Sequence, residues 1–97
     1  MNYRITSDNI KISPSMRMLT KEKFIRIEKR LKSVPKGSKS VRIVMNTPKV
    51  ENKFTVKTTV KVKGKKYFSD DTNDSLEHAI ISTVNKILRM MNKDKCG

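Results

Sequence analysis

Cysteine and aromatic residues are scarce in this sequence. Cys96 is the single cysteine among 97 residues, tryptophan is absent, and three phenylalanines and two tyrosines are the only aromatic residues. One cysteine forms neither an internal disulfide nor a zinc-finger pair, which favours a reducing compartment. We expect residues 1–97 to fold as a single domain around isoleucine, valine, leucine and methionine, with a frayed basic tail at about 92–97.

Long apolar runs are also missing. No stretch approaches the roughly 18 apolar residues that a membrane-spanning helix needs. The polar opening MNYRITSDN lacks the composition of a signal peptide. These features predict a cytoplasmic protein with no membrane partner.

Acidic residues are few compared with basic ones. Nine aspartates and glutamates face 23 lysines and arginines, so the net charge is +14 and the isoelectric point is near 10.2. Such an excess destabilises a compact fold by self-repulsion, which favours a polyanionic partner as the reason for it. A lysine-rich genome is the alternative, but that bias would raise glutamate as well.

Catalytic motifs are absent from the sequence. His78 is the only histidine, and no Ser-His-Asp set, phosphate-binding loop or HExxH motif occurs. We interpret His78 and its neighbour Glu77 as helix-surface residues, and Asp70, Asp71 and Asp74 as a strand end and a helix cap rather than a metal site. We predict no enzymatic activity, no metal and no cofactor; a small enzyme using Glu77 and His78 remains an alternative.

The segment FTVKTTVKVKGKKYF, residues 54–68, alternates between two kinds of side chain. Every second residue from Phe54 to Val62 is apolar or threonine, and Lys57 and Lys61 have the other parity. Because side chains alternate across a strand, this pattern predicts one buried face and one basic, solvent-exposed face. Tyr67 and Phe68 are adjacent, so we expect at least one of them in the core.

Three further strands are predicted around this one. Two of them lie at about Tyr3–Ser7 and Val41–Met45, and a polar loop at residues 47–52 follows the second. A tight turn at Gly64-Lys65 then leads into a fourth strand at residues 66–70.

Two amphipathic helices complete the pattern. Ser13 caps the first helix, which begins at Pro14 and extends to about Ser33. Asp74 and Glu77 predict a capping box for the second. Its apolar positions share one face: Leu76, Ile80, Val84, Ile87 and Met91. The order β-α-β-β-β-α predicts an α+β two-layer sandwich, a four-stranded sheet with two helices packed on one face.

Basic residues recur at helical spacing on both helices. The first helix carries Lys23, Arg26 and Arg30 in one row, with Lys29 alongside, and the second carries Lys86, Arg89 and Lys93. For any one lysine a solvated surface role is the simpler interpretation. The second row, however, has no acidic residue at matching spacing. We therefore expect the two rows to border a common groove that binds nucleic acid.

The sequence lacks the motifs of several nucleic-acid-binding domains, which limits the kinds of nucleic acid that the protein is expected to bind. The aromatic pattern of an RRM, the GXXG loop of a KH domain and the heptads of a basic zipper are absent. An α+β sheet with basic helices resembles the layout of double-stranded RNA-binding domains, which recognise shape and phosphates. A general double-stranded RNA-binding protein or RNA chaperone is therefore one prediction.

Two longer segments resemble a known family. Residues 5–13, ITSDNIKIS, resemble the opening motif I-T-G-x-N-V-x-I-T of the bacterial ribosome hibernation-promoting factors, also called ribosome-associated translation inhibitors. Arg17, Lys23 and Arg26 lie in a helix similar to that family's first helix. Residues 84–95, VNKILRMMNKDK, resemble its final basic helix, and the matching positions are Lys86, Arg89, Lys93 and Lys95. The chain departs from the family at Ser75, Glu77 and Ile81, where an acid-aromatic-acid pattern is usual, and it resembles a short member of the family.

The resemblance implies a function. A protein of this family is expected to bind rRNA of the small ribosomal subunit in the mRNA and tRNA channel, at the A and P sites, and to inhibit translation sterically under stress or in stationary phase. The implied rRNA-binding residues are Arg17, Lys23, Arg26, Lys29, Arg30, Lys86, Arg89, Lys93 and Lys95. Competition with mRNA and tRNA, a monomeric free protein and no DNA partner are expected as well.

Overall fold

The computed structural model describes residues 2–47 and 52–96 of the chain. Its strands are β1 (Asn2–Thr6), β2 (Lys39–Asn46), β3 (Phe54–Val62) and β4 (Lys65–Asn73). Its helices are α1 (Pro14–Lys23), α2 (Ile25–Arg30) and α3 (Leu76–Cys96), and a short 3-10 turn spans Lys36–Ser38. Most of the polar loop predicted at residues 47–52 lies outside the described residues.

The four strands form one mixed sheet in the order β1-β2-β3-β4. β1 runs parallel to β2, because the chain crosses over through α1 and α2 between them. The other two pairings are antiparallel, and they place Arg42 opposite Thr59 and Thr59 opposite Phe68. This register makes every second residue of each strand point away from the helices.

The helices cover the other face of the sheet and enclose the core there. The largest fully buried side chains come from both layers: Phe24, Ile27, Ile43, Met45, Ile80 and Ile87. On β3 the buried residues Val56, Thr58 and Val60 alternate with the exposed Lys57 and Lys61. The α+β two-layer sandwich and the alternation of β3 are therefore confirmed.

The first helix is not continuous, although the sequence predicts one helix from Pro14 to about Ser33. It breaks at Phe24, where the chain makes a turn before α2 begins. The apolar positions step by five residues from Leu19 to Phe24, which exceeds a helical turn. The break lets the fully buried Phe24 reach the core. The buried Thr20 hydroxyl donates to the Met16 carbonyl at 2.7 Å, a contact that bends helices.

The ends of the helices use serine caps. The Ser13 hydroxyl accepts from the Met16 N–H at 3.2 Å, as predicted. For α3 the predicted cap, Asp74, is wrong by one residue. Ser75 is the cap, because its hydroxyl accepts from the His78 N–H at 3.3 Å. α3 then continues to Cys96, through the stretch from Asn92 onward that the sequence predicts to fray.

The turn between β3 and β4 is also displaced by one residue. Lys63 and Gly64 form it, with positive φ angles of 50° and 83°, rather than the predicted Gly64-Lys65. Two consecutive positive φ angles match the twist of a two-residue hairpin, and glycine adopts one at little cost. β4 consequently starts at Lys65 and extends to Asn73, beyond the predicted end at residue 70.

Candidate nucleic-acid interface

The basic row on α1 and α2 lies along the outer side of the helical layer. Arg17, Arg26 and Lys29 are exposed, whereas Lys23 and Arg30 are half-buried. Lys23 Nζ lies 3.1 Å from Glu77 Oε1 on α3. Ion pairs this exposed contribute at most about 1 kcal/mol, so Lys23 stays able to exchange its partner for a phosphate.

Arg26 connects the two helical segments by a neutral contact. Its Nη1 donates to the Asn85 side-chain carbonyl at 2.8 Å. Because asparagine carries no charge, the guanidinium charge of Arg26 remains uncompensated. The hydrogen bond therefore orients this cation without neutralising it.

The basic row on α3 forms a separate surface. Lys86, Arg89 and Lys93 are exposed and line a shallow depression together with Met90. The side chain of Lys95, the last predicted member of the row, lies outside the part of the chain that the structure describes. Arg89 and Lys93 form no ion pair with any described residue.

Lys86 differs from its two neighbours because it contacts the sheet. Its Nζ lies 3.5 Å from Asp71 Oδ1 and donates to the Asp70 carbonyl at 2.9 Å. As the sequence shows, no acidic residue stands at helical spacing to this row on α3. The partner of Lys86 comes instead from β4, which packs beside the helix.

The predicted common groove is not formed by the two rows. The groove between the helices is lined by Glu22, Lys23, Ile25, Arg26, Ile81 and Val84. From α3 only Ile81 and Val84 line it, whereas Lys86, on the other flank of the helix, reaches Asp70 and Asp71 of β4. The two basic rows therefore lie on separate flanks of one helical layer.

Two polar clusters hold the helices in place. The Tyr3 hydroxyl on β1 donates to Glu28 Oε1 on α2, and the Tyr3 ring meets Phe24 edge-on at 6.0 Å between centroids. Burial and the hydrogen bond with Glu28 raise the pKa of Tyr3, so the phenol stays protonated. This tie keeps α2, and with it the first basic row, against the sheet edge.

At the other end of the molecule, Asp94 anchors the last turns of α3. It pairs with Lys65 at the start of β4, and the hydrogen bond to Lys65 together with one to Tyr67 lowers the pKa of Asp94. The end of the basic helix is thereby attached to the β3–β4 hairpin.

The proposed catalytic alternative finds little geometric support. His78 and Glu77 are exposed, and Glu77 is engaged with Lys23. Asp71 is engaged with Lys86. Within residues 2–47 and 52–96, no group of three or more His, Cys, Asp or Glu side chains is arranged to hold a metal ion. No described helix is both long and apolar enough to cross a membrane.

Residues 3–96 match the family described as "Sigma 54 modulation protein / S30EA ribosomal protein". The chain belongs to this family. The resemblance to the ribosome hibernation-promoting factors, drawn from the sequence, is therefore confirmed. No curated protein sequence matches the chain at a significant level.

Solved structures of similar fold agree with membership of the S30EA family. A ribosomal subunit interface protein from Coxiella burnetii superposes with a TM-score of 0.83, at 23% identity over 100% of both chains. The N-terminal domain of Protein Y from Thermus thermophilus gives 0.79, at 17% identity over 96% of this chain and 98% of that one. At these identities the likeness shows a shared fold.

Proposed function

We propose that this protein binds the small ribosomal subunit through its helical layer and inhibits translation by occupying the mRNA channel and the A and P sites. The proposal is supported by the family to which residues 3–96 belong, and by the subunit-interface protein that shares the fold. The single observation that carries it is the pair of basic rows on one helical layer. No catalysis is needed, because a bound wedge blocks mRNA and tRNA sterically.

The dimensions of the helical layer suit an RNA surface. α3 has 21 residues, which corresponds to about 31 Å at 1.5 Å per residue. Basic residues on two flanks allow the layer to contact phosphates on two sides of a cleft. Double-stranded RNA-binding domains, which share this general layout, recognise the shape and the phosphates of RNA rather than its sequence.

The charge of the protein suits the same role. A net charge of +14 accelerates association with a polyanion and makes binding depend strongly on salt through counterion release. Within the proposal, Arg17, Lys23, Arg26, Lys29, Arg30, Lys86, Arg89, Lys93 and Lys95 are the rRNA-binding residues. The chain then acts as one cytoplasmic, monomeric binding unit that requires no cofactor.

Arg89 and Lys93 offer the clearest test of this surface. Neither has an ion-pair partner among the described residues, so reversing their charges breaks no intramolecular pair, unlike reversal at Lys86. We expect R89E/K93E to lower the affinity for small subunits by at least about a hundredfold, since each lost charged contact is worth about 1.5–3 kcal/mol. Cosedimentation with purified subunits measures this.

The matched control makes the same change of charge elsewhere. Lys11, between β1 and α1, and Lys36, in the 3-10 turn, are exposed, and each lies six positions along the chain from the nearest residue of a basic row. We expect K11E/K36E to bind with nearly unchanged affinity. Equal losses in the two double variants would show that only net charge matters and would remove the helical layer as the contact surface.

A general double-stranded RNA-binding protein or RNA chaperone is the second candidate. The observation favouring it is an α+β sheet covered by helices that expose basic residues, which resembles the layout of double-stranded RNA-binding domains. It predicts that any RNA duplex competes for the protein as well as small subunits do. Saturable binding to subunits that excess duplex RNA fails to displace would exclude it.

A further inference from the structure

The face of the sheet opposite the helices carries an ordered set of side chains. The strand register brings Arg4, Arg42, Thr59 and Phe68 into one row across all four strands. Three spacings of about 4.8 Å make such a row about 14 Å long. Arg4, Arg42 and Thr59 of this row line a depression together with Lys61 and Lys66, and Phe68 follows Thr59 at the end of the row, beside the depression.

Phe68 is the unusual member of the row. Its side chain is 51% exposed, although it sits on a regular strand, and its neighbour Tyr67 points to the core. No other ring in the described part of the chain packs against it. An aromatic ring held by β-structure and open to solvent is available as a stacking platform.

Cations surround this ring on the same face. The row on one side contains Lys61 opposite Lys66, and the row on the other side contains Lys57 opposite Asp70. Together with Arg4 and Arg42, these rows hold five cations and one acid: Arg4, Arg42, Lys57, Lys61, Lys66 and Asp70. None of the five cations forms an ion pair with a described residue, so their charge is available to a ligand.

We propose that this open sheet face binds single-stranded RNA, with one unpaired base stacked on Phe68 and the flanking phosphates on Arg42, Lys61 and Lys66. A polynucleotide strand alternates flat bases with phosphates, and this face offers one flat ring beside rows of cations. A membrane surface would be expected to need several apolar side chains, whereas Phe68 is the only large exposed hydrophobic residue on the described strands.

The single ring limits what this site recognises. RNA-binding sheets with two or three stacking aromatics hold two or three bases. Here one base is held, and we expect little sequence preference because every base has a π-face. The inference does not rest on the proposed function, since it concerns the opposite face of the sheet and an unpaired strand.

The absence of tryptophan allows a direct probe of this site. In F68W the new indole is the only one in the chain, so its fluorescence reports on this position alone. We expect a nine-nucleotide oligouridylate at moderate salt to quench it saturably. A 9-base-pair RNA duplex should quench it much less. Quenching by anionic vesicles but not by the oligonucleotide would overturn the proposal in favour of a membrane surface.

The second part of the test compares the affinities of the wild type and of Phe68 variants for oligouridylate. With a fluorescein-labelled oligouridylate, we expect F68L to bind about tenfold more weakly than the wild type, and F68Y to bind nearly as well. M18A is the matched control, because Met18 is 72% exposed on α1 and its loss removes an apolar side chain from the helical layer.

Equal affinities of F68L, M18A and the wild type would overturn the proposal, as would an unquenched Trp at position 68 under saturating RNA. Binding to ribosomes is measured on the same variants. A variant that loses oligouridylate binding but keeps subunit binding separates this site from the helical layer. If R89E/K93E loses subunits while F68W is still quenched, the two surfaces are independent.

Discussion

The helical layer and the open face of the sheet both carry cations, but in different surroundings. On the helices, Lys23 contacts Glu77, Arg26 contacts Asn85 and Lys86 contacts Asp71, while Arg89 and Lys93 have no ionic partner among the described residues. On the sheet, Lys57, Lys61, Lys66, Arg4 and Arg42 have no ionic partner among the described residues.

The number of charges on a face therefore does not by itself identify a contact surface. Helical cations that are oriented by neighbours form a preformed pattern for a structured partner. Unpaired strand cations beside one exposed ring suit a flexible strand, which adapts to them. The two faces are therefore expected to bind RNA of different form, although both depend on the same net charge.

The largest expected effect is on the free energy of unfolding, when a phenylalanine is removed from the core or from the open face of the sheet. Phe24 is fully buried at the break between α1 and α2, whereas Phe68 is 51% exposed. F24A should lower the free energy of unfolding by about 3–5 kcal/mol, because it leaves a cavity in the core. F68A should change it by no more than about 0.5 kcal/mol. Urea denaturation measures both, and similar losses would contradict the assignment of the two faces.

The second prediction concerns how the affinity for oligouridylate depends on salt when cations are removed from one face or the other. Each phosphate contact to a single strand contributes about 0.7 to the slope of log affinity against log salt. R42Q/K61Q should therefore reduce the slope for oligouridylate by about 1.4, whereas R89Q/K93Q should leave it unchanged. Titrations across a series of potassium chloride concentrations give these slopes. Equal reductions by both double variants would mean that the faces do not act separately.

The smallest effect concerns the anchor that joins the two layers. Because the pKa of Asp94 is lowered by Lys65 and Tyr67, the unfolded chain takes up this proton more readily than the folded one. The anchor therefore stabilises α3 above the ordinary pKa of 3.8 and loses this effect as pH falls through the lowered value. The hydrogen-exchange protection factors of the last turns of α3, which are corrected for the pH dependence of free amide exchange, should fall at such pH. D94N should show lower protection near neutral pH and lose this dependence.

The spacing of apolar and polar residues predicted much of the fold, because strands and helices depend mainly on residues that are close together in the sequence. The alternation in β3, the Ser13 cap and the buried face of α3 all depend on neighbouring residues. The break in the first helix at Phe24 could also have been predicted, since the five-residue step from Leu19 to Phe24 is visible in the sequence.

The arrangement of the site depends on contacts between distant residues, which no local pattern contains. Lys86 pairs with Asp71, 15 positions away along the chain, on the flank of α3 that faces β4 rather than the inter-helix groove. Phe68 is exposed rather than Tyr67 because the register of β4 against β3 decides which of the two faces the core. The hairpin turn at Lys63 and Gly64 sets that register.

The most direct test of the central claim is cosedimentation of the protein with purified small ribosomal subunits, with and without mRNA and tRNA filling the channel. We expect saturable binding near one protein per subunit, weakened by salt and lost when the channel is occupied. Diffuse binding that does not saturate, or binding unchanged by mRNA and tRNA, would contradict it.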